Sequence, residues 1–242
     1  ALFSMKETVT ADPSRLNFKA LGRTYKALLS NPQFLSAALV MGGALGALYA
    51  QATFLPFILM DEVGLTPAQF GASMLAQSGS FFTASLLVRQ LMGRFSAERL
   101  VGPGLVFVAL GSLGTLTLLL WPPSFLHVMV PVATYSFGIA FVMPAMSTAA
   151  LAPFGRAAGA AASMLGFIQM GSGLLVGSLG ALMGNALLAM ATLIPMMGAV
   201  ACVSFLVYRK IQPRPAAAAP ADTRATCGPK VTAPSPVSAP EK

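Results

Sequence analysis

The sequence predicts an all-α membrane protein of six transmembrane helices, and three observations predict it. Hydrophobic residues make up 56% of the 242 positions and charged residues only 9%, against roughly 25% charged in an ordinary soluble domain. Six runs of more than twenty residues lack Lys, Arg, Asp and Glu, at about 34–60, 67–88, 101–121, 125–149, 157–183 and 186–208. Each is long enough to cross a hydrocarbon core of about 30 Å, where only a helix satisfies its own backbone hydrogen bonds. The third observation is where the basic residues fall. All 15 lie before the first run, between the second and third, between the fourth and fifth, or after the sixth. The other three connections, at Asp61-Glu62, Pro122-Pro123 and Gly184-Asn185, contain none. A lipid slab sorts charge in this way, with the basic side in the cytoplasm. The net charge of +8 therefore reports topology and calls for no nucleic-acid partner.

Residues 1–33 read as a cytoplasmic loop with a short amphipathic helix near Leu16 to Leu29, its Lys and Arg turned to lipid headgroups, or as a simple linker. The chain opens without Met, so a truncated start is expected. The first span aligns Gly42, Gly46, Tyr49 and Thr53 on one face, with Pro56 following. Along the second, Ser73, Gln77, Ser80 and Ala84 share a face. The fourth places His127 near its outer end, Tyr135 near its middle, and Pro144 where it would kink the helix. These polar groups suggest a dotted cavity walled by Phe57, Phe137, Phe141 and Met side chains.

The fifth span explains its own glycines. Gly159, Ser163, Gly166, Met170, Gly173, Gly177, Gly180 and Gly184 recur at steps of four and three, and so share one helix face. Helices in lipid gain little by hiding apolar groups from one another, so small residues mark a close-packed interface. Arg156 and Pro153 fit the cytoplasmic foot of that span. Gln169, in its middle, must face protein or water, either as an interhelical hydrogen bond or as a ligand contact. Residues 209–242, rich in Pro and Ala, lack the apolar side chains to offset ordering and read as a disordered cytoplasmic tail.

Catalytic and metal-binding patterns do not occur. The sequence has no phosphate-binding loop, no H-E-x-x-H, no G-x-S-x-G and no metal-ligand cluster. Cys202 and Cys227 lack a pairing context. No enzyme, cofactor or metal is expected, and no acidic or basic residue lies deep in a span to relay protons.

Three motif regions resemble one transporter family. Glu7-Thr8 with Arg15 is similar to an E-T-L…R segment that follows a sixth helix. Tyr49, Pro56-Phe57-Ile58-Leu59 and Gly64-Leu65-Thr66-Pro67-Ala68-Gln69-Phe70-Gly71 resemble a YxxxxPFxL…GLSPxxFG region. Pro144, Ala149 to Phe154, and Ala158-Gly159 through Gly166 to Gln169 match the pattern P-N-A-x-A-x-A-L-x-P-F…A-G-x-A-S-A-L-x-G-x-x-Q, with Ala145 in place of its Asn. The chain thus resembles, from about residue 7 to 208, the carboxyl-terminal half of a major facilitator superfamily transporter of the bicyclomycin/chloramphenicol resistance group. Arg89, Gly93 and Arg94 look like a weakened copy of the superfamily's G-x-x-x-D-R-x-G-R-K loop motif, without its Asp.

The resemblance implies half of a multidrug exporter in the bacterial inner membrane, multi-pass with a cytoplasmic C-terminus. Such a protein exchanges small amphipathic drugs for protons, needs no cofactor beyond the proton gradient, and is completed by a missing amino-terminal six-helix half. It further implies that the first, second, fourth and fifth spans line a cavity, with Tyr49, Phe57, Gln77, Tyr135 and Gln169 at the substrate. Two other readings remain open: a nutrient or metabolite uniporter or symporter on the same fold, and a non-transporting membrane scaffold.

Overall fold

A computed structural model of the chain describes residues 18–211, which are helical apart from short connections and include no strand. Helix α1 spans Phe18–Ser30 and α2 spans Pro32–Pro56, continued by a π-helical turn over Phe57–Glu62. Next come α3 (Pro67–Leu91), α4 (Ala97–Leu116, with a 3₁₀ turn to Leu119), α5 (Phe125–Leu151), α6 (Ala158–Leu182) and α7 (Ala186–Ile211). A 3₁₀ segment, Ala152–Ala157, joins α5 to α6. Of the expected tail, residues 209–211 belong to α7, whereas residues 212–242 and residues 1–17, with Leu16 of the expected amphipathic helix, lie outside the described residues.

Five helices, α2 and α4 to α7, are long and apolar enough to cross a membrane by length and composition. The second expected span, α3, has 25 residues, about 37 Å at 1.5 Å per residue. It is long enough, but its serines, Gln77 and Thr83 make it the most polar of the six.

Local chemistry fixes where the helices start. The Asn31 side-chain oxygen accepts from the amides of Gln33 and Phe34 at 3.0 and 3.1 Å, with Pro32 in the first turn of α2. Thr66 and Gln69 form a reciprocal capping box ahead of α3, at 3.3 and 2.9 Å. Asn185 accepts from the Leu188 amide at 2.8 Å at the start of α7. Gly184, with φ +66°, turns the chain out of α6, a conformation that suits glycine.

Helices α2 and α5 form the centre. α4 packs along α5, α7 along α2, and α4 and α7 meet behind them. α3 flanks α5, and α6 flanks α2. Backbones approach closely where glycine permits. A methyl group on Gly43 would lie 2.9 Å from the Met197 carbonyl oxygen of α7. One on Gly111 of α4 would lie 2.7 Å from the Tyr135 amide nitrogen, and one on Gly138 of α5 would lie 2.6 Å from the Gly104 carbonyl oxygen. Side chains then bond across to neighbouring backbones. Ser172 of α6 donates to the Gly42 carbonyl at 2.7 Å, and Ser80 of α3 to the Ala133 carbonyl at 2.7 Å. Such bonds hold helices together without apolar driving force between them.

The short connections alternate helix direction. The described basic residues then gather at one end: Arg23 and Lys26 in α1, Arg89 at the end of α3, Arg94 and Arg99 around the start of α4, and Arg209 and Lys210 at the end of α7. Asp61 and Glu62 lie at the opposite end, in the π-helical turn.

Candidate substrate groove

Between the carboxyl-terminal halves of α2 and α6 runs a groove of two adjoining cavities, of about 440 and 420 Å³, sharing Thr53, Gly177 and Ala181. Its inner part is walled by Tyr49, Met170, Gly173 and Leu174, and its outer part by Phe54, Phe57, Gly180, Asp61 and Glu62. The sequence builds it simply. On α2 every third or fourth residue from Tyr49 is aromatic or polar, whereas α6 presents glycines there, so the floor is backbone and the wall is ring. Tyr49 is 40% exposed and Phe57 57% exposed, so both rings are available to a guest. The Thr53 hydroxyl is engaged with the Tyr49 carbonyl at 3.1 Å.

The glycine face of α6 divides into two parts. Gly173 packs on the Tyr49 side chain, 2.9 Å from where a methyl would stand, Gly177 faces Thr53, and Gly180 lies against the Phe54 ring. Gly159 and Gly166 have nothing beside them, and Gly184 serves as the turn that ends α6. The Ser163 hydroxyl donates to the Ala160 carbonyl of its own helix at 3.0 Å and lies 3.5 Å from the Tyr25 hydroxyl of α1. Within the described residues the stripe packs on α2 from Gly173 to Gly180, and mid-helix Ile168 and Ser172 meet Gly42 and Gly46 of α2.

Tyr135 departs from expectation too. It is fully buried, and its hydroxyl donates to the Ala44 carbonyl at 3.0 Å, between α5 and α2. The sequence places a polar ring in mid-span but not its direction, and the ring points toward α2, where the Ala44 carbonyl receives its hydroxyl. Phe141 is likewise buried, its ring tilted against those of Phe107 and Phe137. Gln77 and Gln169 are half-buried on α3 and α6, and neither lines the groove. Arg89 borders a separate cavity of about 520 Å³ between α3 and α5, with Phe81, Met92, Met143 and Pro144. Gly93 and Arg94 form the turn after α3, their amides bonded to the Gln90 and Leu91 carbonyls at 3.3 and 2.9 Å.

Sequence reasoning overlooked Gln51. Its amide is buried in α2, with neither oxygen nor nitrogen hydrogen-bonded. A polar side chain among glycines and alanines in mid-span was the available signal. His127, the lone histidine, bonds the Thr117 hydroxyl at 2.7 Å and ties the start of α5 to the end of α4.

Helices of this length and apolarity, packed through glycines and side-chain-to-backbone bonds, define a multi-pass helical membrane protein. Its known relatives are transporters. The chain is 25% identical over 168 residues to the multidrug transporter MdfA of Escherichia coli O6:H1, covering 69% of this chain and 41% of that protein. It is 27% identical over 174 residues to MdfA of Edwardsiella ictaluri, with the same coverage. To the multidrug resistance protein MdtM of Salmonella typhimurium it is 26% identical over 147 residues, 60% of this chain and 35% of that one. The match thus spans about two fifths of these relatives' length. No family model matches the chain.

Proposed function

We propose that this chain is the carboxyl-terminal half of a drug:proton antiporter of the major facilitator superfamily, within the bicyclomycin/chloramphenicol resistance group. It exports small amphipathic drugs across the bacterial inner membrane, energised by the proton gradient. The observation that carries the reading is the ring-walled groove of α2 and α6 in a bundle similar to two fifths of known multidrug transporters. A second six-helix half, related to this one by an axis along the membrane normal, closes over α2, α3, α5 and α6, and rocking between the halves gives alternating access. The basic end, with the loop before α2 and the tail, is cytoplasmic.

Tyr49, Phe57, Gln77 and Gln169 contact substrate in this reading. Arg89, Gly93 and Arg94 make a cytoplasmic turn that fixes orientation. Drug accumulation in cells expressing the complete reading frame tests the reading. Accumulation falls on expression and is restored by a proton uncoupler, and Gln77→Ala and Gln169→Ala each reduce export. Accumulation that does not respond to expression argues against a transporter, and export indifferent to the uncoupler argues against proton exchange.

A further inference from the structure

The cleft between α3 and α5 has no part in the groove. Its cavity of about 520 Å³ lies at the basic end of the bundle, where Phe81, Val88 and Met92 of α3 face Ala140, Met143 and Pro144 of α5. The two serines that also line it are turned to their own helices, Ser85 donating to the Phe81 carbonyl at 2.8 Å and Ser147 to the Met143 carbonyl at 2.8 Å. Neither therefore demands a hydrogen bond from a guest. No Asp or Glu lines the cleft, and among the described residues no carboxylate is paired with the exposed Arg89 guanidinium, in the last turn of α3. Arg94 and Arg99 follow within ten residues, against one acidic residue, Glu98. From Met92 to Phe81 the cleft follows α3 for 11 residues, about 16 Å at 1.5 Å per residue. That depth is close to one leaflet of a hydrocarbon core about 30 Å thick.

We infer that this cleft is a site for an anionic phospholipid: one acyl chain lies between Phe81, Val88 and Met143, and Arg89 holds the phosphate at the mouth. The site goes beyond the transport reading and needs only a bilayer around the helices. A guanidinium fork matches two phosphate oxygens at once, while its methylene stem rests on apolar surface and its head reaches the interface. Basic pockets between membrane helices on the cytoplasmic side select acidic headgroups for this reason. The dimensions favour lipid over a free anion. The opening begins at a cation, at the level of headgroups, and continues along an apolar wall one leaflet deep, whereas a free anion would use the mouth and leave the wall bare.

The test uses the protein from its complete reading frame, purified in detergent, with phosphatidylglycerol and phosphatidylcholine of the same acyl chains, whose headgroups differ in net charge. Native mass spectrometry of a lipid titration shows the first phosphatidylglycerol bound roughly three- to tenfold more tightly than the first phosphatidylcholine, the increment that one cation near the surface supplies. Arg89→Gln brings the two affinities together and Arg89→Lys keeps most of the preference. Met143→Trp, which fills the cleft and leaves the charge in place, weakens both lipids by a similar factor. The ratio of the two lipids on one variant is insensitive to a general loss of folded protein. A preference left intact by Arg89→Gln overturns the site, and so does indifference to Met143→Trp, since the headgroup is then held on the basic surface with no chain in the cleft. Displacement of phosphatidylglycerol by millimolar inorganic phosphate overturns it by making the ligand a free anion. Equal affinity of the unaltered protein for both lipids overturns it too, the cleft then being covered by another segment of the protein. None of these results bears on drug export, so the transport reading stands or falls separately.

Discussion

The Tyr135 hydroxyl donates to the Ala44 carbonyl at 3.0 Å, across the boundary between α5 and α2. A backbone carbonyl in a helix interior is already engaged, so the phenol supplies a second bond to it and locks the two central helices in register. Tyr135→Phe keeps the ring and removes the bond. We expect a loss of about 0.6–1.7 kcal/mol, the range for side-chain bonds between membrane helices, read as a lower unfolding midpoint with drug affinity unaltered. A large drop in affinity without a change in stability would instead return the phenol to the substrate.

A packed glycine of α2 and the open glycines of α6 respond differently to a methyl group. At Gly46, opposite Ser172 and Gly173, alanine forces the helices apart, and overpacking of this kind costs about 1–3 kcal/mol. At Gly159 nothing lies within reach, and alanine there is neutral or gains the roughly 0.8–1 kcal/mol by which it exceeds glycine in helix propensity. Thermal unfolding of Gly46→Ala, Gly159→Ala and Gly166→Ala in the complete protein checks this. A loss at Gly166 as large as that at Gly46 places a further segment of the protein over the open part of the face.

Gln51 predicts a gain. Its buried amide makes no hydrogen bond, and leaving such a group unsatisfied costs about 1–3 kcal/mol. Gln51→Leu, close in size and free of polar atoms, is expected to raise the unfolding midpoint. A lower midpoint would show that the amide has partners in the membrane.

Topology is open to chemical labelling. In a background with Cys202 and Cys227 replaced, a cysteine beside Asp61 reacts with a membrane-impermeant maleimide added outside intact cells, and one at Arg94 reacts only after the cells are opened. Equal reaction of both from outside contradicts the sorting of basic residues on which the whole fold assignment rests.

Element lengths were legible because lipid demands about twenty apolar residues per crossing and charge marks the breaks. Pro32, Thr66 with Gln69, and Gly184 even mark individual helix ends. Helix rotation was not legible. A soluble helix shows its buried side as an apolar stripe, but these helices are apolar all round, so the sequence does not distinguish lipid from core. Tyr135 and Tyr49 illustrate this: both are mid-span tyrosines, one fully buried and one 40% exposed, and nothing in their own spacing sets the difference. The groove was half visible. Tyr49 and Phe57 were singled out, yet their meeting with Asp61 and Glu62 depends on a wider turn that no spacing rule predicts.

That wider turn has a consequence of its own. The stretch Phe57–Glu62 is wound with hydrogen bonds reaching one residue further than in the helix before it, as in the Val63 amide bonded to the Ile58 carbonyl at 3.0 Å. Tightening it to ordinary α winding without shortening it swings everything beyond by about 100° around the axis. The acidic rim would then turn away from the glycine floor while the inner rings stayed where they are, so the aim of two charges hangs on a single surplus residue of backbone.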